Sequence, residues 1–351
     1  MGKKEACVSL VAQSEYLDGS PGGISKYCSE QIRNISRLAP KNTKIKTIRI
    51  GNYPWPFGIL STKFSGFGFN TDSGIIHNLT ERPLIPLRRK ASVLINAAHE
   101  FQRILYPKIT MSEGRLLTEM PEYLIKKSYM WDILKGDCIV ATSSQTKREA
   151  RKLGFDKEVF VVNPGISEEF LNTPKSVTEK RDFVVGYVGA IRKRKGVEML
   201  IESMSYLDQK FKLKMYGMVF SRFREDFNRI MKKAKNTEYC GVVPKSRIVG
   251  VYDSFDAFVI PSWYEGFGMG IVEAQSRGIP VVVNGKGMLP YETSRYCFKA
   301  NDASRIADIL QGIKDNGYNA KSMRIARSYA RGFTWEKTAK ETIEVYKRFI
   351  S

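Results

Sequence analysis

At 351 residues, with 42% hydrophobic side chains, the chain exceeds what one hydrophobic core usually serves, so two domains of similar size are expected. Its formal net charge of +21 makes anionic ligands or surfaces expected partners. No uncharged apolar run approaches the roughly 18 residues a spanning helix needs. The five cysteines, Cys7, Cys28, Cys138, Cys240 and Cys297, have neither paired nor metal-ligand spacing, which fits reduced thiols in a cytosol. Met1-Gly2-Lys3-Lys4-Glu5 leads straight into a strand-like run, so the chain is read as neither exported nor membrane-spanning.

Short apolar runs alternate with amphipathic runs of helical length, the pattern of parallel sheets covered by helices. The first-half strands are predicted at Cys7–Val11, Ile45–Ile50, Gly74–His77, Val93–Ala97 and Asp137–Thr142. A second series is predicted to begin at Val159–Val162 and to continue with Phe183–Val188, Phe211–Tyr216, Glu238–Gly241, Ala257–Ile260 and Pro280–Val283. The fold class is therefore α/β, with one doubly wound sheet in residues 1–167 and another in 168–333. The polar stretch Glu168–Arg181, which contains Pro174, is read as the linker. A final helix is expected over Thr334–Ile350, with Thr334 as N-cap and Glu336 in the first turn, and residues 334–351 are expected to pack back on the first domain. Residues 51–70 mix aromatics with Gly and Pro and fit either an ordered loop at the core edge or a mobile one near an acceptor.

Positive charge is spread over both halves, with an excess of 8 through residue 170 and 13 beyond it. Stretches such as Lys147-Arg148-Glu149-Ala150-Arg151-Lys152 interleave cations with acids, as a solvated helical face does. Nothing reads as a base-recognition module, so nucleic acid is not an expected partner.

Several segments carry chemistry. Ser20-Pro21-Gly22-Gly23-Ile24 follows the first strand, and its two glycines open a helix where backbone can approach a ligand closely. His77 and His99 are the only histidines, and His99 falls just past a strand end, where open α/β sheets collect ligands. Gly189-Ala190-Ile191-Arg192-Lys193-Arg194-Lys195-Gly196 puts four consecutive cations after a strand, suited to a diphosphate leaving group. Pro261-Ser262-Trp263-Tyr264-Glu265-Gly266-Phe267-Gly268-Met269-Gly270 then runs from a strand into a helix, so the amides of Phe267–Gly270 form an anion and hydroxyl cradle. Glu265 and Glu273 frame this cradle as acceptors for sugar and ribose hydroxyls.

These segments resemble glycosyltransferase family 4, the retaining GT-B enzymes, whose signature is two glutamates separated by seven residues in a Glu-Gly-Phe-Gly context, followed by Glu-Ala and Gly-x-Pro-Val. The resemblance spans nearly the whole chain and is tighter in the second half. It implies two Rossmann-like domains, a nucleotide-diphosphate sugar on the C-terminal one and an acceptor on the N-terminal one, with retention of anomeric configuration in a hexosyl transfer. Glu265 with the Phe267, Gly268 and Met269 amides is then placed on the donor sugar, Glu273 on the ribose and Lys195 on the diphosphate. Gly22 and Gly23 fall on the family's first loop, which closes over the donor phosphates, and His99 on a contact to the transferred sugar or acceptor. The family's arginine position is Ala190, so Arg192 or Arg194 is expected to reach the diphosphate instead.

No aspartate pair sits at a suitable strand end, so neither metal nor cofactor is expected. The N-terminal charge, the Arg88-Arg89-Lys90 cluster and the 53–69 loop point to a peripheral site on the inner face of the cell membrane, with a lipid-linked saccharide or other glycan precursor as acceptor. A soluble acceptor remains the alternative, as does a GT-B epimerase or phosphorylase.

Overall fold

The computed structural model describes residues 6–18, 22–50, 73–80, 93–99, 101, 105, 133–173 and 182–350. The expectations placed on residues 51–70, Arg88-Arg89-Lys90, Ser20, Pro21 and Pro174 lie outside them. By their contacts the described residues fall into two compact units, residues 6–165 with 335–350, and Ile166–Thr334.

The first unit is a six-stranded parallel sheet in the order β2-β1-β3-β4-β5-β6. Its strands are β1 (Ala6–Gln13), β2 (Thr43–Ile50), β3 (Ile75–Asn78), β4 (Val93–Ala98), β5 (Cys138–Ala141) and β6 (Glu158–Val161). The last of these corrects the strand series, which began the second set at Val159–Val162; the strand falls on the first-domain side of the 1–167 boundary. β6 pairs in parallel with β5, Cys138 opposite Glu158 and Ala141 opposite Val161, because the helix Ser144–Lys152 forms a right-sized crossover back to the same sheet. The helix begins where Ser143 accepts a hydrogen bond from the Thr146 amide.

One face of this sheet is covered by the helices Gly23–Leu38 and Trp335–Lys347. Gln31 donates to Thr342 Oγ1 at 3.2 Å, and His77 Nδ1 lies 2.6 Å from the Tyr346 hydroxyl. Thr338 donates to the carbonyl of Asn163 at 2.8 Å. The C-terminal helix is thus bonded into the first unit at three levels.

The second unit is again a six-stranded parallel sheet, ordered β12-β11-β10-β7-β8-β9. It consists of β7 (Phe183–Val188), β8 (Phe211–Tyr216), β9 (Thr237–Tyr239), β10 (Ala257–Ile260), β11 (Val281–Asn284) and β12 (Phe298–Ala300). β12 has no counterpart among the predicted strands. Side chains of β7 alternate between two cores, Val185 and Tyr187 joining Leu200, Leu213 and Leu310, while Val184 and Val188 pack with Phe258, Ile271 and Val283. Burial on both faces explains why these strands read as unbroken apolar runs.

The stretch expected to be an irregular linker begins with a helix, Glu168–Asn172, that belongs to the second unit. Arg277 fixes it. This guanidinium is 1% exposed, forms a bidentate pair with Asp253 at 2.7 and 2.8 Å, and donates to the carbonyls of Phe170 and Thr173. A tertiary anchor, not local propensity, orders those residues. Among the described residues no helix is long and apolar enough to cross a membrane.

Candidate active site

In each sheet the chain begins in the interior, lays strands to one side, then returns to the other, which creates a switch point where loops diverge and a crevice opens at the carboxyl ends. In the second sheet this point lies between the paired strands β7 and β10. Both sequence motifs of the second half leave from there. Their convergence follows from topology.

The two loops are laced together by backbone. Trp263 N–H donates to the carbonyl of Arg194 at 2.9 Å, and Arg194 Nη1 donates to the carbonyl of Tyr264 at 3.2 Å while its guanidinium lies 4.6 Å over the Tyr264 ring. Gly196 closes the first loop with φ of 65°, and a Cβ there would come 2.1 Å from the carbonyl oxygen of Pro261. Only glycine permits that approach.

Lys195 is carried by the short 3₁₀ turn Lys193–Lys195, which delivers its ammonium to Glu265. Nζ lies 2.6 Å from Oε1 and 2.7 Å from Oε2, and the two side chains are only 12% and 9% exposed. Ser262 Oγ adds a 2.6 Å bond to Oε1. The cation read as a phosphate partner and the carboxylate read as a sugar partner are therefore paired with each other.

Behind them the buried Tyr187 donates to the carbonyl of Ala190 at 2.8 Å, bracing the loop where the resemblance has an arginine. Burial first, then the charge of Glu265, raises this phenol far above its ordinary range, so it stays a proton donor. Arg192 leans out over the half-exposed Phe220 ring, its Cζ 4.5 Å from the centroid.

Glu265 leads through Phe267 and Gly268 into the helix Met269–Ser276, where Gly268 is the N-cap residue. Phe267 is buried against Phe333, and its carbonyl accepts from Thr293. The loop amides thus sit at a helix N-terminus on a fixed support. Glu273, one turn in, is 9% exposed and accepts a 2.9 Å bond from Tyr252.

Gly22, Gly23 and His99 belong to the first unit. Gly22 precedes the helix Gly23–Leu38, and no acidic residue occupies its first turn. His99 follows β4, with Nε2 3.2 Å from the carbonyl of Leu79, so that nitrogen is the donor. Its ring meets Tyr27 edge-on at 4.6 Å. His77 lies deeper, fully buried within β3.

Sequence reasoning gave no role to Tyr187, Tyr252 or Ser262. Ser262 stood inside the strongest motif and its proximity to Glu265 was the available signal, whereas neither tyrosine carried one.

The fold covers solved structures from end to end. Sucrose-phosphate synthase from Thermosynechococcus elongatus superposes with a TM-score of 0.75 over 98% of both chains at 18% identity. WaaG, described as a glycosyltransferase involved in lipopolysaccharide biosynthesis, gives 0.70 over 96% of this chain and 99% of its own at 12% identity. The fold is GT-B. Within this GT-B chain, residues 169–332 match the family described as glycosyl transferases group 1, the segment that holds Lys195, Glu265 and Glu273. Among curated proteins, the O-antigen chain mannosyltransferase B of Escherichia coli is 31% identical over 171 residues, 46% of this chain and 45% of that one. The chain spans about half the length of the curated relatives it matches first.

Proposed function

We propose that the protein is a glycosyltransferase that moves a hexosyl group from a nucleotide-diphosphate sugar to a glycan acceptor, with retention of configuration. The observation that carries this is the buried Lys195–Glu265–Ser262 cluster, set beside a helix N-terminus in the segment that matches the glycosyl transferases group 1. Glu265 accepts from hydroxyls of the donor sugar, the Phe267–Met269 amides and Lys195 meet the diphosphate, and Glu273 accepts from the ribose. As the sugar's bond to the diphosphate breaks, Lys195 and the amides stabilise the charge that develops on the leaving oxygen. In the front-face mechanism that retention implies, the departing diphosphate takes the acceptor proton, and His99 contacts the transferred sugar or the acceptor.

Structures similar to this chain include one described as a complex with UDP and glucose, which supports a nucleotide-diphosphate donor. A thermal-shift panel of nucleotide sugars tests the reading, since a donor at 100 times its Kd adds about 2.7 kcal/mol to stability. We expect one donor to stabilise the protein and to be consumed when an acceptor is added, with no loss after EDTA treatment. That expectation rests on Lys195, whose ammonium supplies the charge stabilisation a metal would otherwise give. Stabilisation by none of the panel, or recovery only on adding manganese or magnesium, would refute the donor or the metal-free part respectively.

For the acceptor we propose a lipid-linked saccharide or other glycan precursor at an anionic membrane surface. Two of the similar proteins are described by lipopolysaccharide biosynthesis and by an O-antigen chain, and the chain's +21 charge favours an anionic surface. Each Lys or Arg close to an anionic bilayer contributes about 1 kcal/mol. Flotation is expected to bring the protein up with vesicles rich in phosphatidylglycerol at low salt and not with neutral ones. Equal failure with both would leave a soluble acceptor.

A further inference from the structure

Glu273 does not stand alone in the wall of its helix. The ring of Tyr252 is fully buried and wedged among Phe170, Phe258 and Phe255, whose centroids lie 5.1, 5.4 and 5.9 Å away. That packing leaves the hydroxyl one place to go, and it meets Glu273 Oε2 at 2.9 Å. Burial, reinforced by the charge of Glu273, raises the phenol well above its ordinary range, so it keeps its proton and donates it to Glu273. Gly270 makes the room. A Cβ at that position would lie 3.3 Å from the Tyr252 hydroxyl oxygen and 3.4 Å from the Phe258 ring, tighter than a side chain comfortably packs.

We infer that Tyr252 is a positioning residue for the nucleoside half of the donor. It ties down one carboxylate oxygen of Glu273 from the interior and so orients the carboxylate for the 2′- and 3′-hydroxyls of the ribose. A carboxylate that is 9% exposed and held by a charge-assisted bond does not have to give up rotamer freedom when the nucleotide arrives. The inference rests on the reading of Glu273 as the ribose acceptor, and the experiment separates the two.

Calorimetry on the parent, Tyr252→Phe and Gly270→Ala would compare UDP and GDP with their 2′,3′-dideoxy counterparts. The parent is expected to bind the ribose form of its preferred nucleotide about tenfold tighter than the dideoxy form, the scale of a hydrogen bond to a charged group. Tyr252→Phe is expected to lose about tenfold for the ribose form and less than about twofold for the dideoxy form. A purely structural role would weaken both alike. Gly270→Ala keeps the tyrosine and crowds its hydroxyl, so the ratio of ribose to dideoxy affinity should fall in the same direction; that ratio within one variant cancels any change at the phosphate end of the site, and it carries the test if Tyr252→Phe folds poorly. Equal losses for both forms, or a full ribose preference retained in both variants, would overturn the positioning role. A parent that does not distinguish ribose from dideoxyribose would remove the ribose reading of Glu273, and the inference with it.

Discussion

Lys195→Ala is expected to weaken nucleoside-diphosphate binding by about 2–4 kcal/mol and to lower kcat/KM by at least about a hundredfold. The effect is large because this ammonium serves the site twice. It holds both oxygens of Glu265 at 2.6 and 2.7 Å, and it brings positive charge to the strand ends where the diphosphate is proposed to lie. Truncation leaves a carboxylate that is 9% exposed without its cation, and breaking such a pair from one side costs about 3 kcal/mol of stability. The two losses separate in Lys195→Met combined with Glu265→Gln, which removes both charges together. Chemical denaturation should show most of the stability restored in the double variant, because no unpaired charge remains buried. Activity should stay lost. If calorimetry finds unchanged nucleotide affinity in Lys195→Ala, Lys195 is only a support for Glu265. If the double variant regains turnover, the pair belongs to the scaffold and not to the chemistry.

The same pair shows what a sequence can and cannot disclose. The gathering of the Lys195 and Glu265 loops was legible because loops that follow strands in a doubly wound sheet must meet at its carboxyl edge. Their pairing was not legible, since the distance between residues 195 and 265 depends on β7 and β10 being neighbours. Strand positions were readable to within a residue or two for the long apolar runs. Membership was not: Val159–Val162 announces a strand, yet nothing local says that it pairs with β5 and closes the first sheet. β12, with three residues, is too short to show a period. The helix Glu168–Asn172 hid behind polar composition because it is held by Arg277, more than 100 positions away. Tyr252 was invisible for the opposite reason, as an aromatic in an apolar helix is first of all core.

Acid is expected to unfold this protein partly through one residue, His77. The imidazole is fully buried in β3, with Nδ1 bonded to Tyr346 and Nε2 without a hydrogen-bond partner among the described residues. Burial first, and the neighbouring His99 second, lower its pKa from 6.5 to about 3. The unfolded chain therefore takes up a proton as pH drops below 6.5, while the native state declines it until about 3. Stability contributed by the neutral ring is complete above pH 6.5 and drains away across that window, by roughly 5 kcal/mol in all. At pH 5 about 2 kcal/mol is already gone. Carboxylates add their own acid dependence, so the informative quantity is a difference between proteins. Urea unfolding at pH 7 and pH 5 should show His77→Phe losing about 2 kcal/mol less than the parent over that step, whatever its starting stability. Tyr346→Phe, which removes the hydrogen bond but keeps the imidazole buried, should retain the parent's slope. Because Tyr346 lies on the C-terminal helix that covers β3, the loss should also free that helix early, and hydrogen exchange over Trp335–Lys347 should accelerate at pH 5 in the parent more than in His77→Phe. Identical slopes in the parent and His77→Phe would mean that the native state admits the proton without unfolding.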